Sequence, residues 1–304
     1  MPNMDTAFER IVLPVLSGGM MIVEEYGRQA LAQFMEEISM VQSGIPYEKL
    51  GIAERRHAQL PRAYQVLAAK PSQVLFDTQR LTDASLPDNT VAVLTLSGVM
   101  RMDGGPSTPG ILAMEQDFRD AYNNPKIKAI VLDINSGGGM VSAGWTLANV
   151  VSEKNKPVVA YSRYAGSAAY LAAAGADEII AAPGSQTGGI GAFIPINLAE
   201  IQALKDSVKF IYAAQSTGKN LAERAILNDN NYGPMQAEAD QTAAAFIAYV
   251  QKMRPVKGSE LIIAETFSGP MFDPATAKRR GLTDMTGTFT QALNRAALLG
   301  SRQN

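Results

Sequence analysis

The sequence predicts an α/β fold built on a mostly parallel sheet, and three observations predict it. Short apolar runs such as Val91–Leu96 and Lys128–Ile134 have the length and composition of buried strands. Longer stretches of helical periodicity alternate with them, the pattern of βαβ units. Glycine clusters mark several passages from strand to helix.

Taken in order, residues 1–85 look unlike the rest and read as a helical N-terminal arm with a linker, and residues 86–304 read as the α/β domain. In the arm, Ala30, Leu31, Phe34, Ile38 and Val41 recur at helical spacing after Glu24-Glu25. Ile52–Ala69 reads as a second helical stretch, and Ser72–Asn89 as linker. Val91–Leu96 is the first strand, closed by Gly98. Pro109–Asn124 is a helix stopped by Pro125. Lys128–Ile134 is a strand, Val141–Glu153 a helix, Pro157–Tyr161 a strand and Gly166–Ala174 a short helix rich in alanine. Glu178–Ala181 is a strand running into a glycine-rich loop that ends at Gly191. Leu198–Lys205 reads as helix, Val208–Tyr212 as strand and Asn231–Met253 as a long amphipathic helix. Phe267–Leu299 mixes turns with a final helix.

Composition narrows the chemistry. With 46% hydrophobic and 18% charged residues among 304, the chain can build a sizeable core. A net charge of −2 without a basic stripe gives no footprint for nucleic acid. Zero cysteines exclude disulfides, thiolate metal sites and a cysteine nucleophile, and nothing calls for a metal or a cofactor. The apolar run Ile11–Val23 is interrupted by Pro14 and Gly18-Gly19, too short to span a bilayer; a cytoplasmic protein without a membrane span is expected.

Two glycine-bearing turns carry the candidate chemistry. In Asn135-Ser-Gly-Gly-Gly139, glycines let the backbone turn sharply and present N–H groups unobstructed. In Tyr164-Ala-Gly-Ser-Ala-Ala-Tyr170, Ser167 opens a helix, where N–H groups lack partners. A serine there can simply cap the helix. It can also be a nucleophile, with the Ala168 N–H and that of Gly138 or Gly139 holding an oxyanion. Both turns end strands, where parallel sheets gather their sites. The single histidine, His57, lies in the charged stretch Glu54–His57, far from these turns, so the base this serine needs is expected to be a lysine. A lysine of ordinary pKa is neutral only about once in 2,500 molecules at pH 7, so a lysine base belongs in an apolar wall.

These motifs, taken together, resemble the signal peptide peptidase A family of serine proteases. Asp133–Gly139 is similar to that family's Asn-Ser-Pro-Gly-Gly turn, with Gly137 in place of the proline. Gly166–Ala172 with Ala176–Ile179 looks like its nucleophile segment, and Thr187–Ala192 like its Thr-Gly-Ser-Ile-Gly-Val loop. Phe267-Ser-Gly269 and Arg280–Asp284 resemble its closing segment. The resemblance covers roughly residues 90 to 290. It implies a Clp protease/crotonase-like fold of repeated ββα/βαβ units and peptide hydrolysis by a Ser167–Lys219 dyad, because the family's lysine follows its serine by about fifty residues in a stretch like Gln215–Asn220. Lys205 and Lys209 are the rival bases. Gly189 stands where the family often has a lysine-orienting serine, leaving Thr187 or Ser185 for that task. Gly137, Tyr170 and Gly189 are expected along the path of the peptide.

The resemblance also implies a homo-oligomeric ring. Gly18–Tyr26 looks like the start of phage capsid-assembly proteases, a branch that works in the cytoplasm on scaffold or portal proteins. Two other readings stand beside this one. A crotonase-like acyl-CoA enzyme would use the same oxyanion hole but lacks a defensible acid–base pair. A non-catalytic assembly protein is suggested by Gly189.

Overall fold

The structure, a computed structural model, describes residues 20–22, 60–74, 81–103 and 110–302. Its strands and helices run in the order β1 (Met20–Ile22), β2 (Arg62–Leu67), β3 (Lys70–Val74), β4 (Thr90–Ser97), α1 (Ile111–Asn123), β5 (Ile127–Ser136), β6 (Gly138–Met140), α2 (Val141–Ser152), β7 (Val158–Gly166) and α3 (Ala168–Ala174). There follow β8 (Glu178–Gly188), α4 (Leu198–Ser207), α5 (Leu221–Asp229), α6 (Gly233–Met253), α7 (Glu260–Thr266), β9 (Met271–Phe272), α8 (Pro274–Arg280), β10 (Met285–Thr286) and α9 (Phe289–Gly300).

The main sheet has the order β10-β8-β7-β5-β4-β2-β3. β4, β5, β7, β8 and β10 are parallel; β2 and β3 extend one edge antiparallel, and β9 pairs antiparallel with the end of β8. This is the α/β class expected, with helices crossing between parallel strands. The central strands are buried on both faces, as parallel strands covered by helices must be. On one face Leu94, Ile130, Leu132 and Ala160 pack beneath α1, α2 and α3. On the other, Val91, Val93, Val131 and Val159 meet Ala292, Leu293 and Ala296 of α9. That helix opens with a reciprocal Thr288–Gln291 capping box, which satisfies two backbone donors at its start.

A carboxylate ties the middle of the sheet. Asp133 of β5 is 3% exposed; its Oδ1 accepts from Arg163 Nε (2.9 Å), and its Oδ2 from Arg163 (2.6 Å) and Arg62 (3.1 Å). Strands β2, β5 and β7 are thereby linked by one buried anion satisfied from both sides.

Several expectations are corrected here. Ile52–Ala69 is not all helix: Arg62–Leu67 is strand β2, and Lys70–Val74, partly read as linker, is β3. Both belong to the main sheet, because β2 pairs with β4, so the α/β unit begins before residue 86. Strand β8 runs on to Gly188 through much of the supposed glycine-rich loop. Val208–Tyr212 forms no strand, and Val208, Phe210 and Ile211 are exposed. His57 and the periodic stretch Glu24–Val41 lie outside the described residues. Among the described residues, no helix is long and apolar enough to cross a membrane.

Candidate active site

Ser167 stands between the last residue of β7 and the first of α3. Its backbone adopts φ 54°, ψ −121°, a region that residues with a side chain rarely enter. The surroundings hold it there. Its N–H donates to Gly188 O at 2.8 Å, and its carbonyl accepts from Leu171 N at 2.9 Å to start the helix. Ser167 holds the N-cap position of α3, but its side chain makes no capping bond. A sharp, strained passage from strand to helix lifts the hydroxyl away from the sheet, as in a nucleophile elbow. Small neighbours make the turn possible: Ala165, Ala168 and Ala169 are fully buried, and the Gly144 Cα passes so close that an added Cβ would lie 2.9 Å from the Ala168 Cβ.

The second turn lies beside the first. Ser136 pairs with Ala165 across β5 and β7, and just past the ends of those strands, two residues on from each, come Gly138 and Ser167. Gly138 has φ 100°, a conformation suited to glycine. Gly139 needs its missing side chain for another reason: a Cβ there would lie 2.2 Å from Met100 O. Ser136, whose role the sequence left unread, fastens the turn. Its Oγ donates to Gly98 O (2.6 Å) and accepts from Gly138 N (3.1 Å). The Gly138 N–H, expected to be free for an oxyanion, is therefore engaged with Ser136 in this form. Ala168, the first residue of α3, presents an N–H that has no partner within the helix.

Thr187 and Ser185 sit on β8 behind the nucleophile. Thr187 pairs with Ala165 and is buried; its hydroxyl is 3.0 Å from that of Ser162. Ser185 Oγ is buried and without a hydrogen-bond partner among the described residues, so of the two it has the unspent hydroxyl. Gly188 and Gly189 have φ 139° and 64°, and the Gly189 N–H donates to Pro270 O at 2.9 Å. The left-handed backbone at 189 gives a physical reason for glycine where a serine was expected. Tyr170, expected along the peptide path, instead lies wholly inside the core, its hydroxyl donating to Leu282 O at 2.9 Å. Gly137 is buried within its turn.

Lys219, Lys205 and Lys209 are exposed in the single chain. Lys219 lies in the turn segment before α5, where its N–H donates to Ser216 O at 3.2 Å. Burial, with Lys128 nearby, pushes the Lys156 ammonium down to about 8. Lys156 nevertheless precedes β7 while Ser167 follows it, a separation on the order of 30 Å for nine residues of strand. A cavity of about 330 Å³ lined by Arg254, Lys278 and Asp284 is equally remote, because Asp284 bonds the N–H of Ile179 at the far end of β8.

Residues 151–301 match the model of peptidase family S49. The chain is 32% identical over 217 residues to Protease 4 of Salmonella typhi, covering 69% of this chain and 34% of that protein. It is 27% identical over 218 residues to the chloroplastic serine protease SPPA of Arabidopsis thaliana, covering 67% of this chain and 31% of the other. It thus spans about a third of the length of each. Among solved structures it is similar in outline to a ClpP1 variant from Listeria monocytogenes, at 14% identity and TM-score 0.42, covering 72% of this chain and 99% of that one. The match to the model of peptidase family S49 takes in the stretch that holds Ser167, Thr187, Gly189 and Lys219.

Proposed function

We propose that the chain is a serine endopeptidase in which Ser167 is the nucleophile and Lys219 the general base. The observation that carries this reading is the strained, buried and uncapped Ser167 at a strand-to-helix turn beside a glycine turn. Neutral Lys219 takes the Ser167 proton as Oγ attacks a peptide carbonyl. The Ala168 N–H, with that of Gly138 or Gly139, holds the oxyanion. Collapse of the tetrahedral intermediate expels the amine, which takes the proton from Lys219. Water, activated by the same amine, then cleaves the acyl ester and restores Ser167. Ser185 or Thr187 orients the lysine.

Lys219 needs a drier setting than the single chain gives it. Val208, Phe210, Ile211 and Leu221 expose large apolar side chains on either side of it in sequence. In this reading copies assemble into a homo-oligomeric ring whose contacts cover that segment and draw Lys219 towards a Ser167. The substrate is an extended polypeptide. The likeness of Gly18–Tyr26 to phage capsid-assembly proteases makes an assembling capsid or scaffold protein the substrate favoured here.

Hydrolysis of unfolded β-casein tests the proposal. Ser167→Ala and Lys219→Ala should each lower kcat/KM about 10⁴-fold with the circular dichroism spectrum unchanged. Lys219→Arg should not rescue, because a guanidinium cannot give up its proton. Lys205→Ala and Lys209→Ala should stay within about threefold of the parent. Parental activity in Ser167→Ala or Lys219→Ala would end the assignment.

A further inference from the structure

Strand β6 follows the glycine turn and has two edges. On one, Met100 N donates to Gly138 O (2.8 Å) and Met140 N donates to Met100 O (2.9 Å). Backbone groups alternate sides along a strand, so the N–H and C=O of Gly139 point to the other edge. That outer edge is where an extended substrate would add as a strand beside the nucleophile. It is already taken. β1 lies along it antiparallel, with Met20 opposite Met140, Met21 opposite Gly139 and Ile22 opposite Gly138. In the same form Ser167 is only 3% exposed, so the site is closed to a chain-sized ligand.

We infer that Met20–Ile22 is a resident pseudosubstrate: it fills the peptide-binding edge of β6 and must leave before a polypeptide can bind beside Ser167. The inference rests on the proposed reading in taking the ligand to be a polypeptide. The arrangement suits a displaceable occupant. β1 is three residues long and, among the described residues, pairs with β6 alone, whereas β6 is also held on its other edge by Met100. Substrate affinity is then lowered by the fraction of molecules in which the edge is open.

Binding without cleavage is the test, using the full chain carrying Ser167→Ala and fluorescein-labelled β-casein followed by polarisation. Adding Met21→Pro removes the amide that faces Gly139 and should tighten the dissociation constant about tenfold. Met21→Ala keeps that amide and should shift it by less than about twofold. A synthetic peptide of residues 17–26 should compete with casein for the Met21→Pro protein. Amide exchange at residues 20–22 gives a readout free of any proline effect on folding: it should accelerate when casein saturates the Ser167→Ala chain. Equal affinities in folded Met21→Pro and Ser167→Ala proteins, or unchanged exchange at saturation, would overturn the inference. Hydrolysis of casein by the chain with Ser167 intact is scored separately. Tighter binding in Met21→Pro with no hydrolysis by that chain would uphold strand competition while removing the protease assignment.

Discussion

Ser167, Gly138 and Gly139 show how much of a site depends on backbone permitted at single residues. At Gly139 the constraint is steric, since carbonyl and amide atoms of Met100 leave no room for a Cβ. Neither neighbour is the end of a flexible side chain, so accommodation requires the two strands to part. Gly139→Ala should therefore cost about 2–3 kcal/mol in urea unfolding and abolish casein hydrolysis. The two turns themselves were legible: a serine at the start of a helix and a run of glycines after a strand mark sharp backbone passages in any sequence. The engagement of the Gly138 N–H by Ser136 was not legible, because an ordinary serine in a turn carries no mark of which amide it will accept from. Tyr170 differs from expectation for a related reason: a tyrosine beside Ser167 suits either a substrate wall or a core with a carbonyl in reach, and only the fold supplies Leu282 O.

At the scale of elements, strands buried on both faces were the easiest to find. β4, β5 and β7 read as continuous apolar runs because helices cover both sides. β2 escaped notice because, one strand in from the edge and mostly half-buried, it mixes polar and apolar residues, and β1 because three residues carry no periodicity. Val208–Tyr212 failed in the other direction: its alternation suits a strand, yet pairing needs a partner edge that the sequence cannot specify. Helix α1 has an element-scale consequence of its own. Burial, reinforced by Asp120, raises the Asp117 carboxyl to about 7. The folded chain then keeps a proton that the unfolded chain loses near pH 4. Stability contributed by this group is present below about pH 4 and is lost as pH rises towards 7. The urea midpoint should fall less between pH 4.5 and 8 in Asp117→Asn than in the parent; equal slopes would show that Asp117 is not the group responsible.

For the whole molecule, the exposed apolar segment around Lys219 decides whether one chain suffices. Ile211 is 89% exposed, so exchanging it for glutamate should leave the folded monomer within about 0.5 kcal/mol of the parent. If assembly buries this segment, Ile211→Glu should block oligomers in sedimentation and lower casein hydrolysis at least tenfold. The parent's specific activity should fall on dilution as well. Activity independent of concentration, with Ile211→Glu unimpaired, would place Lys219's dry setting within one chain instead.

The torsion angles at Ser167 give the molecule an unusual selection profile. A residue held in so rare a conformation withholds about 1–3 kcal/mol from the folded state. Glycine at 167 adopts those angles without penalty, so Ser167→Gly should melt later than the parent. With Ser167 as the nucleophile proposed above, screens that reward heat resistance alone will collect dead molecules at this position, and a thermally improved library is best filtered for turnover first.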